Sequence, residues 1–230
     1  MRYFLIAICF CLSIQNFAQK HRYDLGFIGG TAYYLGDVNP SQQFYQINPA
    51  FGGVFRYTLN YRYAFRASLL FTTLSGDDSG FSSQFNAARG HSFSTFITEA
   101  TAQAEFSYHP FETYNDDFTG TPYLASGISG IFVGVTDNPV QLAIPMAVGY
   151  KLNINQFIST GIEYGFRKTF TDQLDQLGGI DNIPGTLSAS DVSNYKQTGF
   201  SNNNDWYSYL CIFITFRFSN KKELCIPYQN

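Results

Sequence analysis

The sequence predicts an all-β protein: an eight-stranded antiparallel transmembrane β-barrel of the outer-membrane type. Three observations carry that prediction. Hydrophobic residues recur with period two along segment after segment. The faces opposite those rows carry the charges, the reverse of a water-soluble barrel. Short links alternate with long polar ones, as tight turns and long loops do at the two ends of a membrane barrel.

Composition narrows the class first. The 230 residues include Lys+Arg 14 and Asp+Glu 17, so 13% are charged, against about 25% in an ordinary soluble domain. Aromatics reach 18%, which excludes a disordered chain, since disorder needs few aromatics and high net charge. Net charge is −3 and no Lys/Arg-rich run occurs, so nothing supplies the phosphate-neutralising patch of a nucleic-acid binder.

Residues 1–19 read as a secretory signal peptide: a basic start at Arg2, an apolar run from Phe4 to Ile14, and small Ala18 before the exit. The run is shorter than the roughly 18 to 20 residues a spanning helix needs. Cleavage is expected after Ala18 or Gln19. Cys9 and Cys11 lie inside the apolar run, so a lipoprotein signal is not indicated and the mature chain keeps Cys211 and Cys225. No later segment is long enough for a membrane helix, which leaves a closed barrel as the structure able to satisfy its backbone in lipid.

The barrel is expected over residues 20–218. Its first strand places Leu25, Phe27, Gly29, Thr31 and Tyr33 on one face and Asp24, Gly26, Ile28, Gly30 and Ala32 on the other. Next come Phe51, Gly53, Phe55, Tyr57 and Leu59, then Tyr63, Phe65, Ala67, Leu69 and Phe71, with Arg56 and Arg66 opposite. Only an odd loop over 60–62 keeps the apolar rows together, with Tyr57 meeting Phe65 and Phe55 meeting Ala67; a two-residue turn puts Phe55 beside Arg66. Residues 94–108 set Phe96, Ala100, Ala102, Ala104 and Phe106 against Thr95, Glu99, Thr101, Gln103 and Glu105. Residues 121–133 form a Gly-rich strand of ambiguous facing. Ile144, Met146, Val148, Tyr150 and Leu152 align with Ile158, Thr160, Ile162, Tyr164 and Phe166 across a turn at 153–157, leaving Lys151, Ser159 and Glu163 on the other side. Over 206–218, Leu210, Ile212, Ile214, Phe216 and Phe218 are expected to meet lipid while Cys211, Thr215 and Arg217 face inward. Paired glycines at 29–30 and 52–53 suit the bends of a small, strongly curved wall.

A soluble sandwich or lipocalin-type barrel would bury these same rows. The distribution of Arg56, Arg66, Glu99, Glu105, Glu163 and Arg167 on the polar faces argues against it. In an eight-stranded barrel the interior is just wide enough for side chains to fill, so these six are expected to neutralise one another in a plugged lumen.

Chemistry is sparse elsewhere. His21, His91 and His109 have no second ligand at metal-binding spacing, and Asp172, Asp175 and Asp181 lack the alternating pattern of a calcium loop; they read as loop acids. His91 with Ser92 is the nearest approach to a hydrolase pair, and no triad accompanies it. Neither catalytic residue, metal nor cofactor is expected. The tail, residues 219–230, presents Cys225 among Leu224, Ile226 and Tyr228, too far along the chain from Cys211 to bridge unless it folds back. These four residues are expected to contact a periplasmic partner, with Cys225 able to link to it covalently or to stand as a free thiol.

Tyr33-Tyr34-Leu35-Gly36-Asp37-Val38-Asn39-Pro40, the hairpin from Arg56 to Arg66, His109-Pro110-Phe111-Glu112 and the stretch from Gly165 to Asp175 together resemble the PorG-like outer-membrane proteins of Bacteroidetes. The resemblance runs over essentially the whole mature chain. It implies a small barrel of the type IX secretion machinery, associated with a periplasmic ring built of a lipoprotein and its partner protein, with no catalytic residues. On the residues alone an independent small barrel, binding an extracellular ligand or surface through its long loops, is the other expectation.

Overall fold

The computed structural model describes residues 22–36, 38–39, 42–80, 90–111, 119–134, 139–170, 174–175 and 205–219. The expected signal peptide and the tail with Leu224, Cys225, Ile226 and Tyr228 lie outside them. Eight strands are present: β1 (Arg22–Leu35), β2 (Asn48–Thr58), β3 (Tyr63–Asp77), β4 (Ser92–Ser107), β5 (Thr119–Val133), β6 (Val140–Asn153), β7 (Ile158–Thr169) and β8 (Trp206–Ser219). Each pairs antiparallel with its sequence neighbours, and β1 pairs with β8, so the barrel closes and leaves no edge.

Registers follow the apolar rows. Tyr57 stands opposite Phe65, Phe55 opposite Ala67 and Gly53 opposite Leu69, which puts Arg56 beside Arg66 on the other face. The β2–β3 turn is held by Asn60, whose Oδ1 accepts from Arg62 N and Tyr63 N at 2.9 Å each. The β6–β7 turn repeats the device: Asn155 Oδ1 accepts from Phe157 N at 2.8 Å and Ile158 N at 2.9 Å. Such side-chain turns compete well with solvent for the backbone donors of a tight link. The third link on this side, between Ser107 and Thr119, is longer than the tight turns expected there. Its start folds inward, with Phe111 N bonding Tyr61 O at 2.8 Å and the Phe111 ring buried.

Which face points where is unambiguous. Phe27 (73% exposed), Ile128 (71%) and Ile212 (59%) point away from the barrel, whereas Glu163 (0%) and Arg66 (4%) point into it. The strand of ambiguous facing resolves the same way, with Leu124, Ile128 and Phe132 outward and Thr121, Tyr123 and Ser129 inward. A closed ladder with a nearly continuous apolar exterior and a charged interior is a transmembrane barrel, because water would not tolerate that exterior and hydrocarbon would not tolerate the alternative.

Glycines set the spacing inside. A Cβ at Gly52 would fall 1.9 Å from Leu69 O, so this wall tolerates no side chain there. On β7, a Cβ at Gly165 would lie 2.4 Å from Tyr209 Cζ: the tyrosine ring of β8 lies across the glycine of its neighbour. Replacing Gly165 with Ala pushes that ring off its seat, and we expect a loss of about 1–3 kcal/mol. The check is the midpoint of the folded-to-unfolded gel-migration transition on heating; an unshifted midpoint contradicts the packing described.

Candidate functional site

The lumen is a stack of ion pairs running from the turn end to the loop end. At the turn end, Arg217 Nε bonds Asp24 Oδ1 at 3.2 Å, Arg56 Nε bonds Glu105 Oε2 at 3.1 Å, and Lys151 Nζ bonds Glu105 Oε1 at 2.6 Å. The Lys151 ammonium also sits 4.5 Å from the centroid of the Phe111 ring, which covers it. One layer in, Arg66 grips Glu163 with both Nη atoms, the Nη2–Oε1 bond measuring 3.0 Å, and its Nε donates to Gln103 Oε1 at 3.2 Å. Glu163 further accepts the hydroxyl protons of Tyr123 and Tyr209. In the next layer Arg167 Nε bonds Glu99 Oε1 at 2.7 Å, Tyr207 donates to Glu99 Oε2, and the Arg167 guanidinium stacks 4.3 Å from the Tyr209 ring centroid.

At the loop end two described residues between β7 and β8 enter the lumen. Leu174 and Asp175 are buried in the barrel mouth. Leu174 N donates to Asp205 Oδ2 at 3.0 Å, Thr95 Oγ1 donates to Leu174 O at 3.0 Å, and Tyr34 OH bonds Asp175 Oδ2 at 3.1 Å. His91, from the β3–β4 link, completes the closure through Nε2, 2.8 Å from Asp175 O, while its backbone N donates to Asp78 Oδ2 at 3.0 Å.

All six predicted lumenal residues are therefore inside and mutually paired: Arg56 with Glu105, Arg66 with Glu163, Arg167 with Glu99. The structure adds Asp24, Lys151, Arg217 and the tyrosines 123, 207 and 209. The period-two reading placed Lys151 and Arg217 on the inner faces, but tyrosine occurs on both faces and its parity carries no signal alone. Asp175, expected as a loop acid, is buried in the mouth, where its carboxylate accepts from Tyr34 and its carbonyl meets His91; Asp172 and Asp181 lie outside the described residues. His91 is spent on a backbone carbonyl and a loop closure rather than on Ser92, whose side chain is exposed. Among the described residues no group of three or more His, Cys, Asp or Glu is placed to hold a metal. Cys211 is a free, buried thiol on the inner face of β8.

Chemically, this arrangement holds the wall together from within. Burying charge is costly unless every partner is present, so the stack is cooperative: removing one member strands the others. Glu163→Gln leaves the Arg66 guanidinium without a counter-charge and weakens the bonds from two tyrosines. We expect a loss of about 3–5 kcal/mol, read as a lowered urea midpoint for the lipid-reconstituted barrel. The Arg66→Met, Glu163→Met double variant should recover much of it; a single variant as stable as wild type contradicts the pairing. A lumen filled in this way should also show no steady conductance in planar bilayers, and a stable open level would contradict the closure at Phe111 and Leu174.

Among solved structures the chain is similar to the N-terminal β-barrel domain of Pseudomonas aeruginosa OprF, at 10% identity and a TM-score of 0.43, covering 87% of this chain and 98% of that one. It is also similar to Neisserial surface protein A, at 10% identity and a TM-score of 0.45, covering 87% and 98%. A third similarity is to Ail, the attachment invasion locus protein of Yersinia pestis, in complex with the heparin analogue sucrose octasulfate, at 9% identity and a TM-score of 0.39, covering 86% and 97%. These are likenesses of shape at low identity. No curated protein matches the chain. Residues 1–227 match a family model, and the chain belongs to that family, described as a domain of unknown function, DUF6089.

Proposed function

We propose that this protein is a non-enzymatic outer-membrane barrel that anchors a periplasmic assembly, a ring lipoprotein and its associated proteins, in the type IX secretion machinery. The observation that carries the reading is the filled lumen. Among the described residues, ion pairs pack the lumen through its length and Phe111 and Leu174 are buried at its two ends, so on this reading the barrel's work falls to its ends and its outer wall. The turn end, which faces the periplasm in this reading, carries exposed Tyr61, Tyr108, Ile154 and Phe157 on its links. Rigid aromatic side chains at a membrane rim suit both the lipid interface and a protein partner. Strand β8 ends at the same end, and the tail bearing Leu224, Cys225, Ile226 and Tyr228 follows it in the sequence. The assignment to type IX secretion in particular is supported by the sequence resemblance over 33–40, 56–66, 109–112 and 165–175.

The test is purification of the tagged full-length chain from detergent-solubilised membranes, with and without Cys225→Ser. Recovery of a periplasmic lipoprotein, reduced at least several-fold when residues 219–230 are deleted, is the expected result. A barrel that purifies alone, and whose cells bind a surface ligand dependent on the long loops, would replace this reading with that of an independent ligand-binding barrel.

A further inference from the structure

The link between β1 and β2 grips the rim of the barrel from both sides. Its inner limb sits in the mouth: Val38 and Asn39 are buried, Asn39 Nδ2 donates to Tyr34 O at 2.8 Å, and Asn39 Oδ1 accepts from Gln42 N at 3.0 Å. Its outer limb crosses to the lipid-facing wall. Tyr33 shares the outward parity of Leu25 and Phe27, yet it is 0% exposed where Phe27 is 73%. Gln43 and Phe44 lie against it. The hydroxyls of Tyr33 and of Tyr164 on β7 meet each other and share Gln43 Oε1 as acceptor, Tyr164 at 3.1 Å. The Phe44 ring centroid stands 4.9 Å from that of Tyr33 and 6.3 Å from that of Tyr164. The apex therefore reaches back across β1 and β8 to β7, while Tyr45 reaches forward to β3 and donates to Asp77 O at 2.9 Å. Phe44 (φ 60°) and Gln46 (φ 47°) both take the left-handed backbone conformation, which is uncommon for such side chains and persists where surrounding contacts enforce it.

Lys168 marks the depth of this contact. It is exposed on the outward face of β7, 5.2 Å from the centroid of the Trp206 ring and nearer the loop end than Tyr164 on the same strand. A charge on the outward face of a barrel is tolerated at the membrane interface and penalised in the acyl region, and tryptophan favours the same level. The seat of Phe44 against Tyr164 is thus at that level or deeper. The residues of the link agree. No charged residue occurs from Val38 to Phe55. The outward row of β2, Phe55, Phe51 and Pro49, runs past the strand end into Ile47, and Phe44 and Ile47 are 50% and 55% exposed. An uncharged apolar surface that extends the lipid-facing wall without a break matches the headgroup boundary and not bulk water. We propose that the apex of the β1–β2 link, residues 43–47, is a membrane anchor whose partner is lipid, with Phe44 and Ile47 entering the leaflet at the loop end. Gln43 supplies the acceptor that the two tyrosine hydroxyls need once they are withdrawn from water. The apex is thereby taken out of the set of loops open to an extracellular ligand. The inference rests on the lipid-facing wall and stands independently of the secretion reading.

Fluorescence quenching of the full-length barrel in lipid vesicles tests it. Trp206→Phe removes the sole tryptophan, and Phe44→Trp or Ile47→Trp returns one at the apex, with folding of each variant verified by heated-gel migration. Ile47→Trp alters an exposed side chain and keeps the test open if Phe44→Trp disturbs its seat on the tyrosines. Phospholipid brominated on the acyl chain close to the headgroup should quench either fluorophore several-fold more strongly than iodide dissolved in the aqueous phase. Quenching by iodide equal to or above that by the brominated lipid would place the apex in water. Quenching by neither would mean that another part of the chain, or a second protein, covers it. Either result overturns the proposal.

Discussion

Every feature of this molecule follows from the need to satisfy backbone hydrogen bonds where no water is available. A strand in hydrocarbon must pair on both sides, so the sheet must close, and here β1 meets β8 over the full length of both. Closure with eight strands fixes a narrow interior. Side chains on the inner face then have nowhere to go but against each other, and the charged ones among them must arrive as pairs. The lumenal stack is thus a consequence of the closed ladder as much as a support for it.

Within that constraint the inner wall divides its labour by residue type. Glycines such as Gly149 and Gly165 give room, the rings of Tyr123 and Tyr209 from the neighbouring strands take it up, and the hydroxyls of those rings finish the coordination of the buried Glu163. Glu163 shows the logic most fully: one guanidinium supplies two donors and two tyrosines supply two more, so its oxygens are saturated in a place where an unsatisfied carboxylate would be severely penalised. The pairs connect β3 with β7, β2 with β4, and β7 with β4, so they brace the cylinder across its diameter as well as along its wall. Plugging at Phe111 and at Leu174 extends the same principle to the two ends.

Much of this was legible in the sequence because period two is a physical property of the strand. The parity of Phe55, Leu69 and Ile212 against Arg56, Arg66 and Glu163 predicted the inversion, and the coincidence of apolar rows chose the odd β2–β3 loop that the Asn60 turn then realises. Residues 121–133 were ambiguous because glycine and serine have no preferred medium, and only their pairing with β4 settled the facing. The end closures could not be read at all. Phe111 and Asp175 sit in links, where no periodicity constrains a side chain, and their burial depends on how a loop folds back over a mouth whose shape is set by distant strands. Tyr123, Tyr207 and Tyr209 were hidden by the amphipathic nature of tyrosine, which is equally at home in a membrane girdle and on a buried carboxylate.

The reading of the lumen, of its closures and of the rim as a contact surface rests on the direction in which the wall faces. Nitroxide labels placed singly at positions 69, 128 and 212 in the reconstituted barrel report that direction. Relaxation of all three by dissolved oxygen, with little response to a water-soluble nickel chelate, is what an acyl-facing wall predicts. Strong relaxation by the chelate and weak relaxation by oxygen would mean that these side chains meet water, and the membrane barrel described here would be wrong.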